Sequence, residues 1–260
     1  MRSLWPSVRS TLSVVENWFG EDVAATYDED CASMFSAEVL SETADLLCEL
    51  ASGGTALELA IGTGRVALPL AERGVPVSGI ELSEAMVERL RAKPGGGAES
   101  IPVVIGDMSS AQAPGCGTFT LVYLVFNTIM NLTTQDAQVR CFQNAADHLA
   151  PGGVILVETM VPELRRLPQG ERFVPFSLTP SHIGIDEYDV ATQRLTSHHV
   201  ESQPDGTVTR SSIPFRYVWP AELDLMASLA GMCLVNRWQD WSRHPFTNES
   251  RAHVSVWQKT

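Results

Sequence analysis

Three acids stand where short apolar runs end: Glu58, Glu81 and Asp107. A carboxylate at a strand terminus can accept hydrogen bonds from the amines and hydroxyls of a ligand. Glu81 follows Gly64 by 17 residues, the place where an acid can receive both hydroxyls of a ribose. Asp107, in Gly106-Asp107-Met108, can accept from an adenine amino group while the next backbone N–H donates to the ring. Between Glu58 and Glu81 lies Gly62-Thr-Gly64-Arg-Val-Ala67, which satisfies the dinucleotide pattern G-x-G-x-x-G/A. Glu58, four residues before Gly62, tips the balance away from that ligand. It would repel a pyrophosphate and suits a ligand carrying an ammonium group.

Those residues need an open α/β sheet to position them. Residues 56–60 are a nearly continuous apolar run, as a strand buried on both faces should be, and a helical pattern opens at Val66. A strand, a glycine turn and a helix place backbone N–H groups at the carboxyl edge of a sheet, where such sheets bind ligands. Further strands are predicted over 75–81, 101–105, 119–126 and 154–159, with helices over 37–51, after the N-cap Ser83, and over 135–149. From Val161 the pattern changes to four short strands, over 172–178, 182–188, 194–201 and 207–217, with Asp205-Gly206 as a hairpin dipeptide. A helix from Pro220, stopped by Gly231, and strands over 233–238 and 253–257 close the chain. The reading divides it into an N-terminal helical segment (1–36), a core (37–160), an antiparallel insertion (161–218) and a closing helix and strands (219–260).

Glu58-Leu-Ala-Ile-Gly62-Thr-Gly64 resembles the first motif, E-x-G-x-G-x-G, of class I S-adenosylmethionine-dependent methyltransferases, with Ala60 replacing the first glycine. Glu81-Leu-Ser-Glu-Ala-Met86, Gly106-Asp107-Met108 and Leu149-Ala-Pro-Gly-Gly153 resemble later features of the same family. The resemblance implies a Rossmann-like, seven-stranded, mostly parallel sheet with an antiparallel last strand, and a small antiparallel β insertion as substrate lid or platform. It looks closest to bacterial enzymes that modify natural products or aminosugars. It implies S-adenosyl-L-methionine as cofactor and S-adenosyl-L-homocysteine as product, held by Tyr27, Glu58, Ala60, Gly62, Gly64, Arg65, Glu81, Leu82, Met86, Asp107, Met108, Phe126, Asn127 and Asn131. Tyr27 would close over the methionine end, or simply pack a helix. Leu82 and Met86 would line one adenine face.

Methyl transfer from a sulfonium is an in-line displacement that chiefly needs alignment and exclusion of water. A general base is required only for a protonated nucleophile. No dyad is evident in the sequence. The candidates are His182, His198, His199, His244 and Tyr217, with Arg216 as a contact for an anionic or aromatic acceptor. His198 and His199 are adjacent on a strand, so only one of them can face the crevice. His148 is read as a helix-end residue rather than a catalyst.

A net charge of −13 argues against nucleic acid as partner. The five cysteines form no C-x-x-C pair, so buried thiols in a reducing cytoplasm and no metal site are expected. Neither a signal peptide nor a membrane-spanning run is expected. The expected partner is a small-molecule acceptor, and the expected state a monomer or homodimer. Two alternatives stay open: a protein that binds S-adenosylmethionine or S-adenosylhomocysteine without transferring methyl, and an NAD(P)-dependent oxidoreductase.

Overall fold

The apolar runs build one seven-stranded sheet, seen in a computed structural model that describes residues 17–31, 36–203 and 205–260. Its strands are β1 (Ala56–Leu59), β2 (Val77–Glu81), β3 (Val103–Ile105), β4 (Phe119–Leu124), β5 (Leu149–Met160), β10 (Met232–Trp238) and β11 (Ala252–Lys259). The order is β10-β11-β5-β4-β1-β2-β3, with parallel pairing from β5 through β3 and antiparallel β11 between β5 and β10. The chain order reverses between β1 and β4, and that switch point opens a crevice at the carboxyl edge. β5 begins earlier than the sequence pattern suggests. Leu149 already pairs with Phe119, and the register then shifts through the Pro151-Gly152-Gly153 turn.

Alternate residues feed two apolar layers. Leu57, Leu59, Val122 and Leu124 pack on one face with Phe142 and Trp257, under helices α5 (Gln135–His148) and α6 (Pro220–Leu229). Ala56, Leu121 and Tyr123 pack on the other with Leu47, Leu70 and Leu90, from α2 (Ala37–Ala51), α3 (Ala67–Glu72) and α4 (Glu84–Arg91). Ser36, Ser83 and Thr134 cap α2, α4 and α5 through their side-chain oxygens. Helix α1 (Glu21–Asp30) precedes these. The spacing of Leu12, Val15, Trp18 and Phe19 predicts one helical packing face. Trp18 and Phe19 lie just before α1, outside any helix, and Leu12 and Val15 fall outside the described residues. No helix among the described residues is long and apolar enough to cross a membrane.

The insertion is a second, antiparallel sheet in the order β6 (Phe173–Leu178), β7 (His182–Asp189), β8 (Arg194–Ser202) and β9 (Val208–Arg216). Val174, Tyr188 and Leu195 on its inner face join the main core. Arg216 anchors it. The guanidinium is 5% exposed and donates to Gln138, to Gln193 Oε1 (3.1 Å) and to Glu222 Oε1 (2.6 Å). Gln138 Nε2 in turn donates to Ile129 O and Arg216 O. This corrects the expectation that Arg216 meets an acceptor. Its donors are committed to fixing the second sheet against α5 and α6.

His253 opens β11 beside Thr159 of β5, fully buried, with Nδ1 2.8 Å from Ser255 Oγ and no hydrogen-bond partner for Nε2 among the described residues. Burial, reinforced by Arg237, pushes its pKa down from 6.5 to about 3. The unfolded chain therefore binds the extra proton between those values. The stability from neutral His253 is complete above pH 6.5 and declines as pH falls toward 3, by up to about 1.4 kcal/mol per pH unit. Chemical denaturation between pH 7 and pH 4 should show that slope flattened in His253→Gln.

Candidate active site

The crevice is lined at its floor by Ala60, Gly62, Ile80 and Glu81, and on its flanks by Leu82, Met86, Gly106, Asp107 and Met108. Thr128, Asn131 and Leu132 close one end, and Asn17, Trp18, Phe19 and Tyr27 form the cover. Its volume is about 740 Å³, part of it open to solvent. Nine residues singled out from sequence thus share one cavity wall: Tyr27, Ala60, Gly62, Glu81, Leu82, Met86, Asp107, Met108 and Asn131.

The glycine loop is shaped by left-handed backbone. Ala60, Gly62 and Gly64 have φ of 56°, 56° and 77°. A Cβ at Gly64 would lie 2.2 Å from Leu90 Cδ1, so any larger residue would have to displace the buried Leu90 side chain as well as adopt the left-handed φ. A Cβ at Gly62 would meet nothing within 4 Å. There the missing side chain leaves the crevice floor open to a ligand. Glu81 locks the loop: Oε2 accepts from Gly62 N–H (2.8 Å) and Oε1 from Ser83 N–H (2.9 Å). Burial raises its pKa, and the backbone donors oppose that rise. Each oxygen keeps a lone pair for a further donor. Asp107 accepts from the N–H and hydroxyl of Ser109, at 2.8 and 2.9 Å, which fixes the turn after β3.

The cover is tied to the loop. Asp28 on α1 accepts from Thr63 Oγ1 (2.6 Å) and pairs with Lys93 Nζ (2.6 Å), which also donates to Thr63 O (2.9 Å). Burial alone would raise the Asp28 pKa, but the Lys93 ammonium and Thr63 hydroxyl hold it below the usual value. Ser83 Oγ donates to Phe19 O, and Phe19 meets the Tyr27 ring edge-on at 6.2 Å. Burial pushes the Tyr27 phenol up, so it is a neutral donor at physiological pH. Trp18 and Phe19 carried only a packing signal in the sequence, and Asn17, Thr128 and Leu132 none. A cover is set by tertiary docking and leaves no local period.

Five expected cofactor residues fall behind the wall. Gly64 is covered by Leu90. Glu58 is 3% exposed beneath the loop, where Tyr123 Oη donates to it at 3.0 Å. Burial pushes its pKa up to about 8, against the pull of Tyr123 and Arg65. Arg65 lies over the Phe126 ring at 5.4 Å and faces Glu58, Tyr27 and Glu158 electrostatically. Asn127 Oδ1 accepts from Met160 N–H (2.6 Å) and Thr159 Oγ1 (3.2 Å). Phe126 and Asn127 therefore carry the turn after β4, and the crevice contacts come from Thr128 and Asn131 beyond it.

The base candidates are not on the crevice wall. His182 and His199 stack on the inner face of the second sheet, 5.2 Å between ring centroids, with Nε2 and Nδ1 3.0 Å apart. Burial, then His182, lowers the His199 pKa. His198 points to the opposite face, toward Glu187 and Ser212. Tyr217 is corrected to a core residue, 1% exposed against Tyr188 and Trp219. His244 sits exposed in the loop before β11, beside Asp240, away from the crevice. His148 donates from Nδ1 to Asn144 O (2.7 Å) and accepts from Ala113 N–H (2.9 Å), a buried structural staple.

Residues 56–153 match the model of a methyltransferase domain. The solved structure of the CcbJ methyltransferase from Streptomyces caelestis superposes with a TM-score of 0.82 at 34% identity, covering 93% of this chain and 98% of that one. The chain belongs to the class I S-adenosylmethionine-dependent methyltransferases. CalS10 from Micromonospora echinaspora, an amino pentose methyltransferase solved with S-adenosylmethionine bound, shares the fold at a TM-score of 0.67 and 21% identity, over 94% of this chain and 99% of that one. The putative methyltransferase YqeM of Bacillus subtilis is 29% identical over 136 residues, a match spanning 52% of this methyltransferase and 53% of that protein's length. The cofactor of this methyltransferase is S-adenosylmethionine. The crevice fits it, with open space over Gly62, a buried carboxylate at Glu81 and an apolar slot at Leu82, Met86 and Met108.

Ala60 holds a conformation that costs an L-residue about 1–2 kcal/mol, more than the extra chain entropy of glycine, about 0.5–1 kcal/mol. Ala60→Gly should therefore stabilise the fold by about 0.5–1 kcal/mol in urea denaturation. Ala60→Val should lower stability.

Proposed function

We propose that this methyltransferase moves a methyl group from S-adenosylmethionine to an O or N atom of a small molecule, a natural-product or sugar intermediate. The proposal further places it in the cytoplasm as a monomer or homodimer that binds neither nucleic acid nor membrane. The observation that carries the small-molecule reading is where the second sheet is docked. Gln138 links Arg216, at the end of β9, to Ile129 in the turn whose Thr128 and Asn131 line the crevice. The inner face of that sheet, where Val174, Tyr188 and Leu195 join the core, also carries Asp186, Ser197 and the His182–His199 pair. In our reading this face roofs the acceptor end, which suits a compact acceptor better than a polymer.

In this reading Glu81 receives the ribose hydroxyls, Leu82, Met86 and Met108 flank the adenine, and Asp107 receives its amino group. Gly62 and Ala60 let the chain approach closely, and Tyr27 closes over the methionine end. The cofactor supplies an electrophilic methyl on a good leaving group. The protein's share is alignment and dryness: the strapped α1, with Trp18 and Phe19, excludes water, and the Thr128–Asn131 turn fixes the wall facing the acceptor. An amine or hydroxyl acceptor must lose a proton. The hydrogen-bonded His182–His199 pair on the inner sheet face is our candidate to receive it, directly or through water.

Calorimetric titration with S-adenosylhomocysteine should show binding where NADH and NADPH show none. Incubation with isotopically methyl-labelled S-adenosylmethionine and a panel of aminosugars and hydroxylated scaffolds should label a product. Binding without transfer to any acceptor would favour a sensor or repurposed fold. Glu81→Ala should weaken S-adenosylhomocysteine by about 1–3 kcal/mol, since it leaves a buried diol without its acceptor. Unchanged affinity would remove Glu81 from the ribose.

A further inference from the structure

Phe126 and Asn127 are consecutive non-glycine residues with φ of 58°. Phe126 is strained there, Asn127 less so because asparagine tolerates this region, and a consecutive pair persists only where the surroundings over-determine it. The determinants converge from the end of β5. Glu158 Oε2 accepts from Phe126 N–H at 2.6 Å, and Glu158 O from Asn127 N–H at 3.3 Å. Met160 N–H and Thr159 Oγ1 then hold the Asn127 side chain. Beyond the turn, Thr128 Oγ1 donates to Val125 O (2.6 Å) and Met130 N–H to Asn127 O (2.8 Å), so the next residues wind into the crevice wall.

Of these anchors the Glu158 carboxylate is unusual. It is a partly buried acid whose oxygen is given to a neutral backbone donor, with Arg65 as its charged neighbour. An apolar residue would fill the same space without the desolvation. Arg65 follows the glycine loop, and its guanidinium covers the Phe126 ring. The loop after β1 and the turn after β4 thus meet where Arg65 covers Phe126, with the Glu158 carboxylate at the end of β5 in their shared electrostatic field.

We propose that Glu158 is a positioning residue for methyl transfer, its carboxylate holding the left-handed Phe126–Asn127 turn that carries Thr128 and Asn131 into the crevice. The role rests on the methyltransferase reading above, but its test needs no acceptor. Glu158→Gln keeps the reach and an accepting oxygen while removing the charge. Glu158→Asp keeps the charge and withdraws the oxygen from Phe126 N–H. S-adenosylhomocysteine affinity is measured by calorimetry, with circular dichroism and thermal melting to establish that each variant is folded. Glu158→Gln should bind within about threefold of the parent, and Glu158→Asp about tenfold more weakly, the size of one lost buried acceptor. Should Glu158→Asp not fold, Glu158→Leu takes its place with the same expectation. A folded Glu158→Asp with parental affinity overturns the proposal. So does a Glu158→Gln as weak as Glu158→Asp, since charge on Arg65 would then be what matters. A parent that binds S-adenosylhomocysteine yet methylates no acceptor would refute the acceptor chemistry and leave this comparison readable.

Discussion

The crevice depends on one carboxylate that serves two backbone segments at once. Glu81 receives Gly62 N–H from the loop after β1 and Ser83 N–H from the turn after β2. These are two of the places where the sheet gives way to helices on the ligand side, and the shared acceptor ties them together. A buried acid is expensive unless its lone pairs are used. The two N–H groups supply that compensation, against the rise in pKa that burial causes. The same carboxylate therefore fixes the shape of both turns and faces the crevice they enclose.

Local pattern was enough to read the sheet. Buried parallel strands have to be continuous apolar runs, and residues 56–60, 75–81 and 119–126 are such runs bounded by turns, so the strand sequence was visible before the structure. The crevice floor was readable for a related reason. Gly62, Glu81 and Asp107 sit at strand ends, and their chemistry follows from type and position alone. The departures lie where side chains choose between two nearby surroundings. Arg216 and Tyr217 had polar groups suited to an acceptor, yet both are buried, one by a hydrogen-bond network and the other by aromatic packing. Sequence distance says nothing about Gln138, 78 residues away. Asn17, Trp18 and Phe19 contribute through docking of a short segment, and only the folded chain reveals which surface it meets.

Ala60 shows how a departure from pattern is absorbed. The resembled motif has glycine there, and the backbone of this chain keeps the left-handed turn with an alanine in it. The turn is held by its surroundings, with Ile61 N–H donating to Ile80 O and Gly62 N–H to Glu81. A methyl group is also small enough to leave the crevice open. The motif thus records a backbone conformation, which glycine adopts most easily and which tertiary contacts can impose on alanine.

Displacement at a methyl group tolerates little error in alignment, and this explains where the protein has placed its strain. The left-handed residues Ala60, Phe126 and Asn127 lie at the ends of the central strands, β1 and β4, around the switch point. A flexible loop there could adopt the same shape transiently, but it would lose conformational entropy each time the reacting groups aligned. Residues held off their preferred backbone conformation by buried acceptors have already lost that freedom during folding. The second sheet follows the same logic at larger scale. Its anchor, Arg216, is buried in a network with α5 and α6, so the sheet is held in place by the core. The α1 cover combines the half-exposed Asp28–Lys93 pair, of a kind that contributes only about 0–1 kcal/mol, with the buried Ala24 and the hydrogen bond from buried Thr63 to Asp28. Its hold on the glycine loop therefore rests chiefly on the buried groups.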